Sequence, residues 1–255
     1  MNGDLWVAAP RAAGAAKLRL FCFPYSGAPA TAFFPWAEVM PDSVHVCPVQ
    51  LPGHGSRLGE PLVDRLNPLV ERVAEGLAPA FDRPFAFFGH SMGALVAFEL
   101  ARRLRRDGKP QPVHLFVSGH GAARLPDRNP PLHPLPEGEF VARVRELNGT
   151  PDQVLEHPEL RQIVVPILRA DFAVCETYEY HADTPLACGI TALGGLGDPY
   201  VTRADLDGWR EETSGPFSVR VFPGDHFYLN TARHFLLQVL ARELEQIIQS
   251  GRYTV

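Results

Sequence analysis

An apolar strand that runs straight into an amphipathic helix fixes the class of this chain. Pro84–Gly89 (PFAFFG) is short and continuously apolar, and Ala94, Leu95, Phe98, Leu100 and Ala101 recur at helical spacing just after it. A strand apolar on both faces that feeds a helix is half of a βαβ unit. The same alternation repeats along the sequence. Lys17–Pro24 (KLRLFCFP), Val44–Val49 (VHVCPV), Val113–Ser118 (VHLFVS), Gly189–Leu193 (GITAL) and Ser218–Phe222 (SVRVF) read as five further strands. Leu69, Val70, Val73 and Leu77 mark one intervening helix. A last helix is predicted from about Thr231 to Gln249 on Phe235, Leu236, Val239, Leu240, Leu244, Ile247 and Ile248, with Asn230 as its cap. The pattern predicts an α/β fold with a mostly parallel, doubly wound sheet.

One interval breaks the rhythm. About 70 residues, 119–188, separate the fourth and fifth strands, far more than an ordinary crossover. The interval opens on a proline-rich loop, continues with a helix over Glu137–Leu147, and then carries two helical pieces flanking Pro166. Proline belongs in the first turn of a helix, so Pro166 is expected to start one. These features predict a core of residues 1–118 and 189–255 with a helical lid, 119–188, inserted between strands.

Composition narrows the function. The 255 residues are 45% hydrophobic and 21% charged, enough for a large core without disulfide or metal staples. A net charge of −5 argues against non-specific nucleic-acid binding, which needs a positive field. Cys22, Cys47, Cys175 and Cys188 form no CxxC pair and read as reduced, mostly buried thiols of a cytoplasmic protein. No apolar run approaches a membrane span of about 20 residues. Asp4, Pro10 and Arg11 interrupt any leader-like stretch, and the first dozen residues are expected to be a loose arm.

The chemistry starts at Gly89-His90-Ser91-Met92-Gly93. A G-x-S-x-G between a strand and a helix is the context of a nucleophile elbow, in which the serine hydroxyl projects above the sheet edge. A serine needs a base. His226, in Phe222-Pro223-Gly224-Asp225-His226, follows the last strand and so reaches the ligand-binding edge. His45 and His114 lie inside strands and look structural, and His90 should point away from the nucleophile. The acid is expected after the penultimate strand. Asp198 ends the glycine loop Gly194-Gly195-Leu196-Gly197, which could swing it under His226. Asp225 is a rival, but neighbours in sequence point apart, and Asp205 and Asp207 belong to the next helix. The oxyanion requires two N–H donors. Met92 supplies one, and the loop Pro24-Tyr25-Ser26-Gly27-Ala28 the other, with Ser26 preferred over Tyr25.

Taken together, FCFPYSGAPATAFFPW, PVQLPGHGSR, FGHSMGA, LRADF with Tyr178 and Tyr180 downstream, GDPYV and FPGDHFYL span nearly the whole chain. As a set they resemble the type II (external, editing) thioesterases of polyketide and nonribosomal peptide synthesis, members of the α/β-hydrolases. Ala28 departs from the second glycine often found there. The resemblance implies an α/β-hydrolase fold and hydrolysis of acyl thioesters held on the phosphopantetheine arm of acyl or peptidyl carrier proteins, through an acyl-serine. It implies that the lid forms the acyl pocket, with Phe140, Val144, Leu147, Ile163, Ile167 and Phe172 as candidate lining. No cofactor or metal is implied, because HExxH, a strand-bound GxGxxG and a phosphate loop are all missing from the sequence. A monomer is expected.

Other readings share parts of this pattern. A general carboxylesterase or lipase would use the same triad, but FPYSGA is not the HGGG type of oxyanion loop. A catalytically silent binding module has no need of Ser91, Asp198 and His226 together. An acyltransferase would have to keep water from its acyl-enzyme. Arg102, Arg103, Arg105 and Arg106 form a basic helix end that either docks an acidic partner or, the favoured reading, is a solvated face complementing the helix dipole.

Overall fold

Side-chain alternation along each strand decides which face of the central sheet a residue reaches. The computed structural model describes residues 5–8, 14 and 16–251. Strands β1 (Leu18–Phe23), β2 (Val44–Pro48), β3 (Phe85–His90), β4 (His114–Ser118), β5 (Gly189–Gly195) and β6 (Phe217–Phe222) form one sheet in the order β2-β1-β3-β4-β5-β6. Every neighbouring pair is parallel. The helices in chain order are α1 (Leu66–Leu77), α2 (Met92–Arg106), α3 (Glu137–Glu146), α4 (Asp152–Glu156), α5 (Pro158–Glu176), α6 (Arg203–Asp207), α7 (Tyr228–Thr231) and α8 (Arg233–Ser250). The chain leaves β1 for one edge and returns past it to β3. Strand order therefore reverses between β1 and β3, and a crevice opens beyond their carboxyl ends.

Each face of the sheet has its own core. Phe21, Phe23, Phe85 and Phe87 join the buried faces of α1 and α2. Leu18, Leu20, Cys22, Phe88 and Phe116 face Trp36, Tyr228 and the Leu236, Leu240 and Leu244 stripe of α8. Phe21 packs edge-on against Phe85 and Phe87, with centroids 5.9 and 6.0 Å away. Each such ring removed from water contributes roughly 2–3 kcal/mol, so this cluster holds β1 beside β3 and fixes the two loops that meet at the crevice. A third core lies within the interval 119–188, where Phe140, Val144, Leu155, Val165 and Leu168 pack together.

Four expectations need correction. Pro166 does not start a helix: α5 begins at Pro158, in the first turn where a missing N–H costs nothing, and runs through Pro166. Burial of Val165, Ile167 and Leu168 around it offsets the lost backbone bond. Asn230 does not cap the last helix. It lies in the single turn α7, bonds the Tyr25 hydroxyl, and leaves Ala232 to precede α8 without a side-chain cap. Residues 5–8 are not a loose arm, because Val7 bridges Val49, Trp6 O accepts the Gln50 N–H at 2.9 Å, and the Arg57 guanidinium covers the Trp6 ring at 3.8 Å. The remainder of the expected arm, residues 1–4 and 9–13 among it, lies outside the described residues.

The basic end of α2 is the fourth. Arg102 is buried, pairs with Glu99 at 2.5 Å and sits over the Phe98 and Tyr180 rings. Arg105 and Arg106 share Asp183, at 2.6 and 3.6 Å, and Arg103 bonds Glu71 and Asp107. Arg102 and Arg105 thus clamp the segment before β5, whereas Arg106 is exposed and Arg103, partly exposed, pairs with α1 and its own helix end. Among the described residues no helix is long and apolar enough to cross a membrane.

Candidate active site

At the end of β3 the backbone makes a turn that most residues avoid. Ser91 has φ 53° and ψ −120°, and Met92 begins α2 directly after it. A non-glycine residue there is strained by roughly 1–3 kcal/mol. The Ser91 N–H holds the turn by donating to Ser118 O at 2.7 Å, at the end of β4. Both flanking glycines are required by close approach. A Cβ on Gly89 would lie 2.0 Å from Gly93 O, and one on Gly93 would lie 2.2 Å from Phe23 O. The elbow is thus pressed against the end of β1. The N–H of Met92, in the first turn of α2, has no intrahelical acceptor and carries the positive end of the helix dipole.

The loops after β5 and β6 are stitched together. Leu196 N–H donates to Phe222 O and Gly197 N–H to Gly224 O, both at 2.8 Å. A Cβ on Gly195 would lie 2.2 Å from Asp225 O. The glycines therefore allow the two loops to approach closely. The result places Asp198 Oδ2 2.8 Å from His226 Nδ1, with the Asp198 side chain fully buried and His226 13% exposed. Asp198 Oδ1 accepts the N–H groups of Tyr200 and Val201 at 2.9 and 3.2 Å. A carboxylate at Nδ1 leaves that nitrogen as donor and the Nε2 lone pair free. Asp225 turns away and accepts the Phe227 N–H at 2.8 Å. Asp205 and Asp207 lie in α6.

His90 is fully buried beside the site, its ring centroid 5.1 Å from that of His226. It bonds Ser118 Oγ at 2.8 Å, and Ser118 Oγ bonds the Tyr228 hydroxyl at 2.6 Å. Burial, followed by the nearby His226, holds the His90 pKa well below the usual imidazole range. A neutral His90 adds no positive charge under His226.

Ser91 and His226 line one cavity of about 580 Å³, together with Tyr25 and Ser26 from the loop after β1. Of the six candidate lining residues, Val144, Leu147 and Phe172 reach its wall, and the other three do not. Phe140 is consumed by the core among α3 to α5, edge-on to Phe172 at 5.8 Å. Ile163 is 45% exposed on the outside of α5, and Ile167 is buried off the cavity. An apolar stripe at helical spacing does not reveal which side of a helix pair faces a void. Tyr200 and Phe227 also line the cavity, with ring centroids 5.8 and 5.2 Å from His226. Their positions next to Asp198 and His226 in sequence were the available signal.

Two buried residues near the site, Asp171 of LRADF and His54 of LPGHG, carry no sequence signal of their pairing. Asp171, on α5, accepts the Gly27 N–H at 2.7 Å and bonds His54 Nε2 at 2.9 Å. The partners are 144 and 117 residues away in sequence, and only the fold brings them together.

Residues 18–248 match the family model "Thioesterase domain". The chain belongs to the thioesterase family and has the fold of these hydrolases, which act on thioesters. It is 45% identical to gramicidin S biosynthesis protein GrsT of Aneurinibacillus migulanus, over 95% of both chains. The thioesterase RedJ of the prodiginine pathway of Streptomyces coelicolor superposes with a TM-score of 0.84 at 43% identity, covering 93% of this chain and 90% of RedJ. The type II thioesterase BorB of the borrelidin cluster gives 0.86 at 36% identity, covering 94% and 98%.

Proposed function

We propose that this thioesterase hydrolyses acyl groups from the phosphopantetheine arm of acyl or peptidyl carrier proteins in polyketide or nonribosomal peptide synthesis, through an acyl-serine on Ser91. The observation that carries the reading is the 2.8 Å bond between Asp198 and His226, whose ring lines the same cavity as Ser91. The biosynthetic names of the similar proteins support the carrier-bound substrate.

In this reading His226 Nε2 takes the Ser91 hydroxyl proton as Oγ bonds the thioester carbon. The carbonyl oxygen becomes an oxyanion facing the N–H groups of Met92 and Ser26. Collapse breaks the C–S bond, and the imidazolium proton passes to the leaving pantetheine sulfur. Water then loses a proton to His226, attacks the acyl carbon and releases the acid, returning the proton to Ser91. Asp198 holds the Nδ1–H tautomer and stabilises the imidazolium. Helices α3 and α5, within the segment 119–188, act as a lid whose Val144, Leu147, Leu168 and Phe172 receive the acyl chain. The protein works as a cytoplasmic monomer on its carrier. Its four cysteines are free, and burial pushes the Cys47 and Cys188 thiols up to about 12, out of reactive range.

Mass spectrometry of an acyl-loaded carrier protein tests this, with Ser91→Ala as control and a p-nitrophenyl ester in parallel. Loss of the acyl mass from the carrier, much faster than ester cleavage and absent in the variant, is the expected result. An untouched carrier with brisk ester turnover would make the protein a general esterase.

A further inference from the structure

The N–H of Ser26 sits in a turn that is held from outside. Ala28 N–H donates to Tyr25 O at 3.0 Å, and Gly27 has φ +76°. Positive φ at the third residue, with Ser26 in the ordinary negative region, is a type II turn. Such a turn relaxes to type I by flipping its central peptide, the one that carries the Gly27 N–H. That N–H is tied to Asp171 Oδ2 at 2.7 Å, so the flip would break a charge-assisted bond. The same bond removes Gly27 from the possible oxyanion donors. Helix α5 also presses on the turn, since a Cβ on Gly27 would lie 2.6 Å from Leu168 Cδ2.

Asp171 is 2% exposed and does not stand alone. His54, itself 4% exposed, bonds it through Nε2 at 2.9 Å and meets Pro52 O through Nδ1 at 2.9 Å. A carbonyl and a carboxylate oxygen both face ring nitrogens, an arrangement that suits an imidazolium, and the Asp171 bond and charge raise the His54 pKa against its burial. A buried ion pair joining three segments distant in sequence is costly to desolvate and weak evidence of stabilisation alone. Its location explains it better: one carboxylate receives the oxyanion turn and a counter-charge, from a helix whose Leu168 and Phe172 wall the cavity.

We propose that Asp171 is a positioning residue for the oxyanion hole, locking the Tyr25–Ala28 turn so that the Ser26 N–H stays aimed at the reacting carbonyl, with His54 holding the carboxylate in place. This rests on the catalytic reading above. It also makes α5 serve the acyl pocket and the oxyanion donor as one rigid body.

The test compares wild type, Asp171→Ala and His54→Gln on an acyl thioester, and measures binding of two inhibitors. An acyl trifluoromethyl ketone adds to the serine and places an oxyanion in the hole, whereas a thioether analogue of the substrate does not. Removing one oxyanion donor costs about 10²–10³ in kcat. Asp171→Ala removes the acceptor of the Gly27 N–H and is expected to lose on the order of 10² in kcat, and the same factor in ketone affinity, with KM and thioether affinity near wild type. His54→Gln keeps a donor toward Asp171 but loses the charge, and should lose roughly tenfold in the same two quantities. It decides the matter if Asp171→Ala does not fold. Ketone and thioether affinities falling together, or kcat near wild type, would overturn the positioning role. Wild-type turnover indifferent to Ser91→Ala would instead sink the catalytic assignment beneath it.

Discussion

Asp198 accepts from three N–H donors: His226 Nδ1 on one oxygen, Tyr200 and Val201 on the other. An asparagine there has one acceptor oxygen, and its amide must face a donor. The backbone donors cannot move, so the amide turns toward His226 and forces the wrong tautomer, with the hydrogen on Nε2. Asp198→Asn should therefore drop kcat by about 10⁴ while the fold persists. Asp225→Asn should stay near wild type, since Asp225 serves only the turn to Phe227. Steady-state kinetics of both variants check this, and a larger loss in Asp225→Asn would reverse the choice of acid.

The strain at Ser91 separates two inactive variants. Ser91→Ala removes the hydroxyl and keeps a Cβ at φ 53°. Ser91→Gly removes both, relieving about 1–3 kcal/mol of strain against roughly 0.5–1 kcal/mol of added unfolded-state entropy. Neither should turn over substrate, but the glycine variant should melt a few degrees above the alanine one, about 2–4 °C per kcal/mol at this size. Calorimetry showing the alanine variant equal or higher would mean that the elbow is not strained.

The sequence carried the sheet, the elbow and the acid-base pair because each depends on local pattern. Strand periodicity, the two glycines around Ser91 and the places of Asp198 and His226 after β5 and β6 are properties of short segments. What it hid is long-range. The bond from Asp171 to the Gly27 turn joins residues 144 apart. The course of α5 through Pro166 depends on the burial of its neighbours, which outweighs a local breaker. Phe140 and Val144 share one helical face and one core, yet of the two Val144 also reaches the cavity wall.

That division between Phe140 and Val144 has a measurable consequence. Enlarging a residue on the cavity wall shortens the space for an acyl chain, whereas the same change on the outside of α5 does not. Val144→Phe should cut kcat/KM for long acyl thioesters more than for short ones, by about fourfold per excluded methylene at ~0.8 kcal/mol each. Ile163→Phe should leave the chain-length profile unchanged. A kinetic series over acyl lengths reads both, and a profile shifted by Ile163→Phe alone would place the pocket on the other face of α5.

Acid should weaken the fold through histidines that burial keeps neutral. His114 is the clearest. Thr191 donates its hydroxyl to Glu243 at 2.8 Å and so accepts from His114 Nε2 at 2.9 Å. Burial pulls the His114 pKa from 6.5 down to about 4, and it also lowers those of His90 and His120. A depressed folded value means that the unfolded chain takes up the proton first. The stability is fully present above pH 6.5 and is lost as pH falls toward 4, roughly 2 kcal/mol of it by pH 5 for His114. His54 works in the opposite sense. Burial lowers its pKa, but the Asp171 bond and charge outweigh that and leave it raised, so its contribution is present at low pH and lost as pH rises through that value. The difference between wild type and His114→Gln isolates the first effect. Urea unfolding at pH 7.5 and pH 5 should show wild type losing more than the variant, by roughly 2 kcal/mol. Equal losses would mean that His114 is protonated in the folded protein.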